Sequence, residues 1–106
     1  MDLVDVLEDK TNEIDKCCMD LIDKLPNLMI PWYIMAAYAY YVQDDPIITD
    51  KLFDKIGRRI YEQWDNLTHA HKNYLSQDMV RSGTYLGEYP SRVKGAVELM
   101  REIHGK

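Results

Sequence analysis

WYIMAAYAYYVQDDPIITDKLFDKIGRRI, residues 32–60, changes character at its middle, and that change sets the fold. As far as Val42 the segment is apolar almost all round, the mark of a helix that lies in a core rather than on its surface. Pro31 suits the first turn of this helix, where a missing N–H leaves no hydrogen bond unmade, and the pattern continues to about Gln43. Asp44, Asp45 and Pro46 then break it, because proline can neither donate to the helical ladder nor tolerate a helical neighbour before it. Thr49 or Asp50 reads as the N-cap of the next helix, its side-chain oxygen accepting from a free first-turn amide, and that helix runs to about Trp64 or Asn66. Phe53, Ile56, Ile60 and Trp64 form its apolar stripe. So short a connection predicts that the two helices are antiparallel neighbours.

Working outward, Leu3, Val4, Leu7, Ile14, Cys17, Cys18, Leu21, Ile22 and Leu25 recur at threes and fours and predict a long amphipathic first helix, ended by Pro26 and Asn27. On the other side, THAHKNYL reads as a short helix and GTYLGEYP, with two glycines and a proline, as a loop. Ser91 reads as the N-cap of a last helix to about His104, with Val93, Val97, Met100 and Ile103 inward. No strand-like alternation, internal repeat or low-complexity tract interrupts this. The expected fold is all-α, one helical domain over residues 1–106 with four to five helices around a central helix-turn-helix corner.

Composition narrows function. Eighteen acidic against thirteen basic residues give a net charge of −5, which disfavours a broad nucleic-acid or anionic-membrane surface. Lys51, Lys55, Arg58 and Arg59, and likewise Arg92, Lys94 and Arg101, are two candidates for a small phosphate-binding patch, although scattered basic residues more usually just solvate a helix face. No apolar run reaches the roughly 18 residues a membrane span needs, and the acidic start lacks the order of a secretory signal. Cys17 and Cys18 are adjacent on a helix, point in divergent directions and read as core thiols without an internal disulfide, consistent with a reducing, cytoplasmic setting. His69 and His71, one residue apart on a helix, would face away from each other, and no ligand at a zinc-site spacing accompanies them, so no metal is expected. SGTYLGEYP lacks the strand and the Lys-Ser/Thr of a phosphate loop.

One constellation stands out. Tyr40 and Tyr41 close one helix, and Asp50, Phe53 and Asp54 open the next on a single face that Gly57 leaves bare. Two tyrosines can stack a planar ring while carboxylates take hydrogen bonds from sugar hydroxyls or attract a positive ring. The same residues equally describe a tyrosine-rich core corner with aspartate caps.

YAYYVQDDPIITDKLFDKI, residues 38–56, resembles the N-terminal helical domain of NAD-dependent (bacterial-type) DNA ligases, which carries a Tyr-x-Tyr-Tyr, Asp-x-Pro, Ile-x-Asp-x-x-Tyr-Asp pattern. Tyr38, Tyr40, Tyr41, Asp44, Pro46, Ile48, Asp50 and Asp54 match in register, Phe53 takes the place of the second motif's tyrosine, and Ala36 stands where the ligases often have a histidine. In that family the small domain closes over the nicotinamide mononucleotide half of NAD while a neighbouring nucleotidyltransferase domain takes the adenylate onto a lysine. The resemblance implies that residues 31–66 correspond to the ligase helical hairpin, that Tyr40 and Tyr41 contact the nicotinamide ring, and that Asp50 and Asp54 organise ring and ribose. No Lys-x-Asp-Gly adenylation motif occurs, so the chain by itself is not expected to seal DNA. Three functions follow as expectations: a binder of NAD or nicotinamide mononucleotide acting with an adenylating protein partner; an interaction module, a homo-oligomer included, that kept the scaffold and lost the ligand; and a small hydrolase or transferase using Asp50 or Asp54.

Overall fold

The computed structural model describes residues 3–83, 85 and 87–105, with side chains described from residue 13 onward. It is all-α, 77% helical, and contains five α-helices and no strand among the described residues. Helix α1 spans Leu3–Lys24, α2 Met29–Ala37, α3 Asp50–Glu62, α4 Gln77–Ser82 and α5 Ser91–His104. Short 3-10 turns occupy Pro26–Leu28, Trp64–Asn66 and Ala70–Tyr74, and α2 runs on into a π-helical turn, Tyr38–Val42.

Helix α2 is the centre of the core. Every residue from Met29 to Ala37 except Pro31 is buried, as an all-round apolar sequence requires. Against it pack Ile14, Cys18 and Ile22 of α1, Leu52, Ile56 and Ile60 of α3, and Val93 and Val97 of α5, with Ile47, Ile48, Leu67, Leu75 and Val80 completing one buried cluster. On α1 the inward line is the i, i+4 series through residues 14, 18 and 22. Cys17 therefore sits half-buried at the flank rather than in the core, and Leu21 and Leu25 are exposed, which corrects the broader stripe expected for this helix. The side chains of Leu3, Val4 and Leu7 lie outside the described residues. Both cysteines are free thiols. Burial, reinforced by the charges of Asp15 and Cys17, pushes the Cys18 thiol up to about 12.

The helix ends follow local chemistry. Thr49 caps α3, its Oγ1 accepting from the Leu52 amide at 3.2 Å. Asp15 of α1 holds that cap in turn, accepting from the Thr49 N–H at 2.9 Å and from its hydroxyl at 2.6 Å. Ser76 caps α4, accepting from the Met79 amide at 3.1 Å, and Gly83, in the left-handed conformation at φ 70°, closes it with its own amide on the Met79 and Val80 carbonyls. Helix α4 was absent from the sequence expectation, being too short for a periodic signal. At α5 the N-cap position belongs to Pro90, with Ser91 the first helical residue, so the expected serine cap is not formed. Along α5 the inward series continues through Val93, Val97 and Met100 to half-buried His104, and Ile103 is rotated outward to 62% exposure.

Candidate functional site

The five residues singled out from the sequence come together. Tyr40 and Tyr41, from the π turn, and Asp50, Phe53 and Asp54, from the first two turns of α3, line one cleft lobe of about 230 Å³ with Gly83 of the α4 cap. Three features of the chain place them there. The π turn, closed by the Gln43 amide on the Tyr38 carbonyl at 3.2 Å, buries Ala39 and turns Tyr40 and Tyr41 outward; such single wide turns are frequent at functional sites. Asp44 then reverses the chain at φ 51°, a conformation aspartate tolerates better than most residues. Finally, the Thr49 cap sets where α3 begins, so that Asp50, Phe53 and Asp54 share its site face.

Tyr40 and Tyr41 meet edge to face, with ring centroids 5.0 Å apart and planes at 86°. The Tyr41 hydroxyl donates to the Gly83 carbonyl at 3.0 Å, tying the aromatic pair to the end of α4. Phe53 stacks on Tyr33 of α2, centroids 4.6 Å apart and planes 15° from parallel. Asp50 and Asp54 are solvent-exposed, one helical turn apart.

A second, larger lobe of about 360 Å³ adjoins the first through Phe53, Asp54 and Gly83, which line both. Its own walls include Tyr33, Gly57, Arg58 and Arg81. This lobe alone falls within the roughly 300–1,000 Å³ of small-molecule sites. Gly57 opens it: a Cβ there would stand 3.2 Å from Tyr33 Cε2 and 3.6 Å from the Val80 carbonyl. Tyr33 is 1% exposed and its hydroxyl has no hydrogen-bond partner among the described residues. Burial, then the charges of Tyr41 and Asp54, push that hydroxyl up to about 12.

Tyr33, Arg81 and Gly83 were not among the sequence candidates. Arg58 is one turn beyond Asp54 on the same helix, so its place was readable from spacing, whereas Arg81 and Gly83 arrive with α4. No histidine or cysteine lines either lobe. The chemistry on offer is recognition: aromatic faces, two carboxylates that accept from hydroxyls, and two guanidinium groups.

The histidines behave otherwise than expected. They do not face apart: their rings lie 5.0 Å from centroid to centroid, because His69 is the cap of the Ala70–Tyr74 turn and its Nδ1 accepts from the His71 amide at 3.0 Å. Burial, then the charge of His71, lowers the pKa of His69 and keeps Nδ1 free to accept. Among the described residues no group of three or more His, Cys, Asp or Glu side chains gathers around a point, and no helix is long and apolar enough to cross a membrane.

No family model, curated protein or solved structure matches the chain significantly.

Proposed function

We propose that the chain is a stand-alone relative of the ligase N-terminal helical domain that binds the nicotinamide mononucleotide part of a pyridine nucleotide in this cleft, acting beside an adenylating nucleotidyltransferase partner. The observation that carries the reading is the convergence of Tyr40, Tyr41, Asp50, Phe53 and Asp54 on one lobe, the positions at which the ligase resemblance puts its ring and ribose contacts. In this reading the tyrosine pair and Phe53 face the pyridine ring, and the carboxylates accept from ribose hydroxyls while balancing the ring's positive charge. Phe53, stacked on Tyr33, supplies the aromatic face of the ligase tyrosine without its hydroxyl.

Calorimetric titration with nicotinamide mononucleotide, NAD and AMP tests it. Saturable binding that favours the nicotinamide compounds and weakens by about tenfold or more in Asp50→Ala is expected. No heat from any nicotinamide compound up to several millimolar, with the protein folded, would end the proposal.

A second reading, the interaction module, is favoured by Leu99 and Ile103, which are exposed one turn apart on the outer flank of α5. It expects self-association that Leu99→Glu abolishes in sedimentation equilibrium; a monomer at high concentration counts against a homo-oligomer.

A further inference from the structure

We propose that the larger lobe is a phosphate-monoester subsite, in which Arg58 and Arg81 read the 5′-phosphate of a mononucleotide whose base and ribose occupy the Tyr40–Asp54 lobe. The assignment of base and ribose rests on the pyridine-nucleotide reading above; the phosphate subsite is argued from its own residues.

Arg58 lies on α3 one turn beyond Asp54, and Arg81 lies in the last turn of α4, so two helices bring a guanidinium to the same cavity. Neither guanidinium takes part in an ion pair or hydrogen bond among the described residues, whereas Arg59 pairs with Asp23 at 3.6 Å and Arg101 with Asp45 at 2.9 Å. Two cations thus face one carboxylate, Asp54, on the cavity wall, and Asp54 belongs equally to the neighbouring lobe. A guanidinium fork matches a phosphate's oxygens bidentately, and two forks suit a dianion.

Tyr33 forms part of the inner wall of the same cavity. It is 1% exposed, and its hydroxyl has no hydrogen-bond partner among the described residues. One lobe holds the aromatic pair and Asp50, the other holds the two arginines, and Asp54 lines both, as suits a base and ribose joined to a phosphate.

The test is calorimetry on the full chain and on the Arg58→Gln, Arg81→Gln double variant, both positions being exposed. The probes are nicotinamide mononucleotide, nicotinamide riboside, which lacks the phosphate, and AMP and uridine monophosphate, which keep a phosphate on other bases. The parent is expected to bind nicotinamide mononucleotide about tenfold or more tighter than the riboside. The double variant is expected to bind the two equally, with its riboside affinity unchanged. Equal binding of both by the parent, or a preference that survives in the double variant, overturns the proposal. If neither nicotinamide compound binds the parent, the pyridine reading fails and the other monophosphates decide: binding of AMP or uridine monophosphate that is lost in the double variant upholds the phosphate subsite, and no binding overturns it too.

Discussion

Tyr33 joins the core to the cleft. Its ring stacks on Phe53, its edge stands over Gly57, and its buried hydroxyl has no partner among the described residues. Replacing it with phenylalanine removes a desolvated polar group that has no partner among the described residues, so Tyr33→Phe is expected to raise the stability by up to about 1 kcal/mol in denaturant melts. The same residue makes a pH prediction. In the native protein the hydroxyl keeps its proton up to about 12, against 10.0 ordinarily. The unfolded chain thus loses its proton first, the contribution to stability is intact below pH 10, and it is lost as pH rises toward 12. Melting temperature plotted against pH over this window should fall less steeply in Tyr33→Phe than in the parent. At Gly57 two effects compete: alanine gains about 1 kcal/mol of helix propensity, but its Cβ meets a tyrosine edge at 3.2 Å that the Phe53 stack keeps from yielding. Overpacking costs typically about 1–3 kcal/mol, so Gly57→Ala is expected to lose about 1 kcal/mol and to narrow the larger lobe, read as a lower melting temperature and weaker mononucleotide binding.

Among the elements, α3 depends on its N-cap residue. Thr49 caps the helix and itself donates two hydrogen bonds to Asp15, so one residue fixes both the start of α3 and its docking on α1. Thr49→Val keeps the shape and loses the hydroxyl; a loss of about 1–2 kcal/mol is expected in urea unfolding. Much of this element was legible. Pro26 and the Asp44–Pro46 run announce their breaks because the chemistry is local, and Thr49 announces a cap for the same reason. The unbroken apolar run of α2 shows that it is central. What escaped depends on partners distant in sequence or on segments too short to repeat. Helix α4 has six residues. Its capping serine and glycine are the signals available for it, and without it Arg81 and Gly83 could not be placed at the cleft. The π turn that presents Tyr40 and Tyr41 has no composition of its own, and His69 works as a cap that its spacing to His71 conceals. Tyr33 looked like core from its apolar neighbours, and it is core; that one edge also lines a cavity depends on Gly57, which lies 24 residues later.

At the scale of the molecule, Arg101 joins the last helix to the turn that precedes the site. Its guanidinium donates to Gln43 Oε1 at 2.6 Å and to the Asp45 carbonyl at 2.6 Å, and its Nη1 lies 2.9 Å from Asp45 Oδ2. With 12% of the side chain exposed, it is a structural tie rather than the solvating residue that sequence alone makes of it. Because the Gln43–Asp45 turn lies between Tyr41 and Asp50, Arg101→Ala is expected to cost about 1–3 kcal/mol and to weaken ligand binding without touching the ligand, a pairing that melting and titration of the same variant will reveal. The central claim is that the cleft between the π turn, α3 and the end of α4 holds a nicotinamide mononucleotide. It is tested most directly by following backbone amide resonances during titration with that nucleotide. The account predicts saturable shifts concentrated at residues 40–41, 50–58 and 81–83, with one dissociation constant for all of them, raised about tenfold or more in Asp50→Ala. Unmoved resonances at those residues under millimolar nucleotide, or shifts confined to another face of the fold, would contradict it.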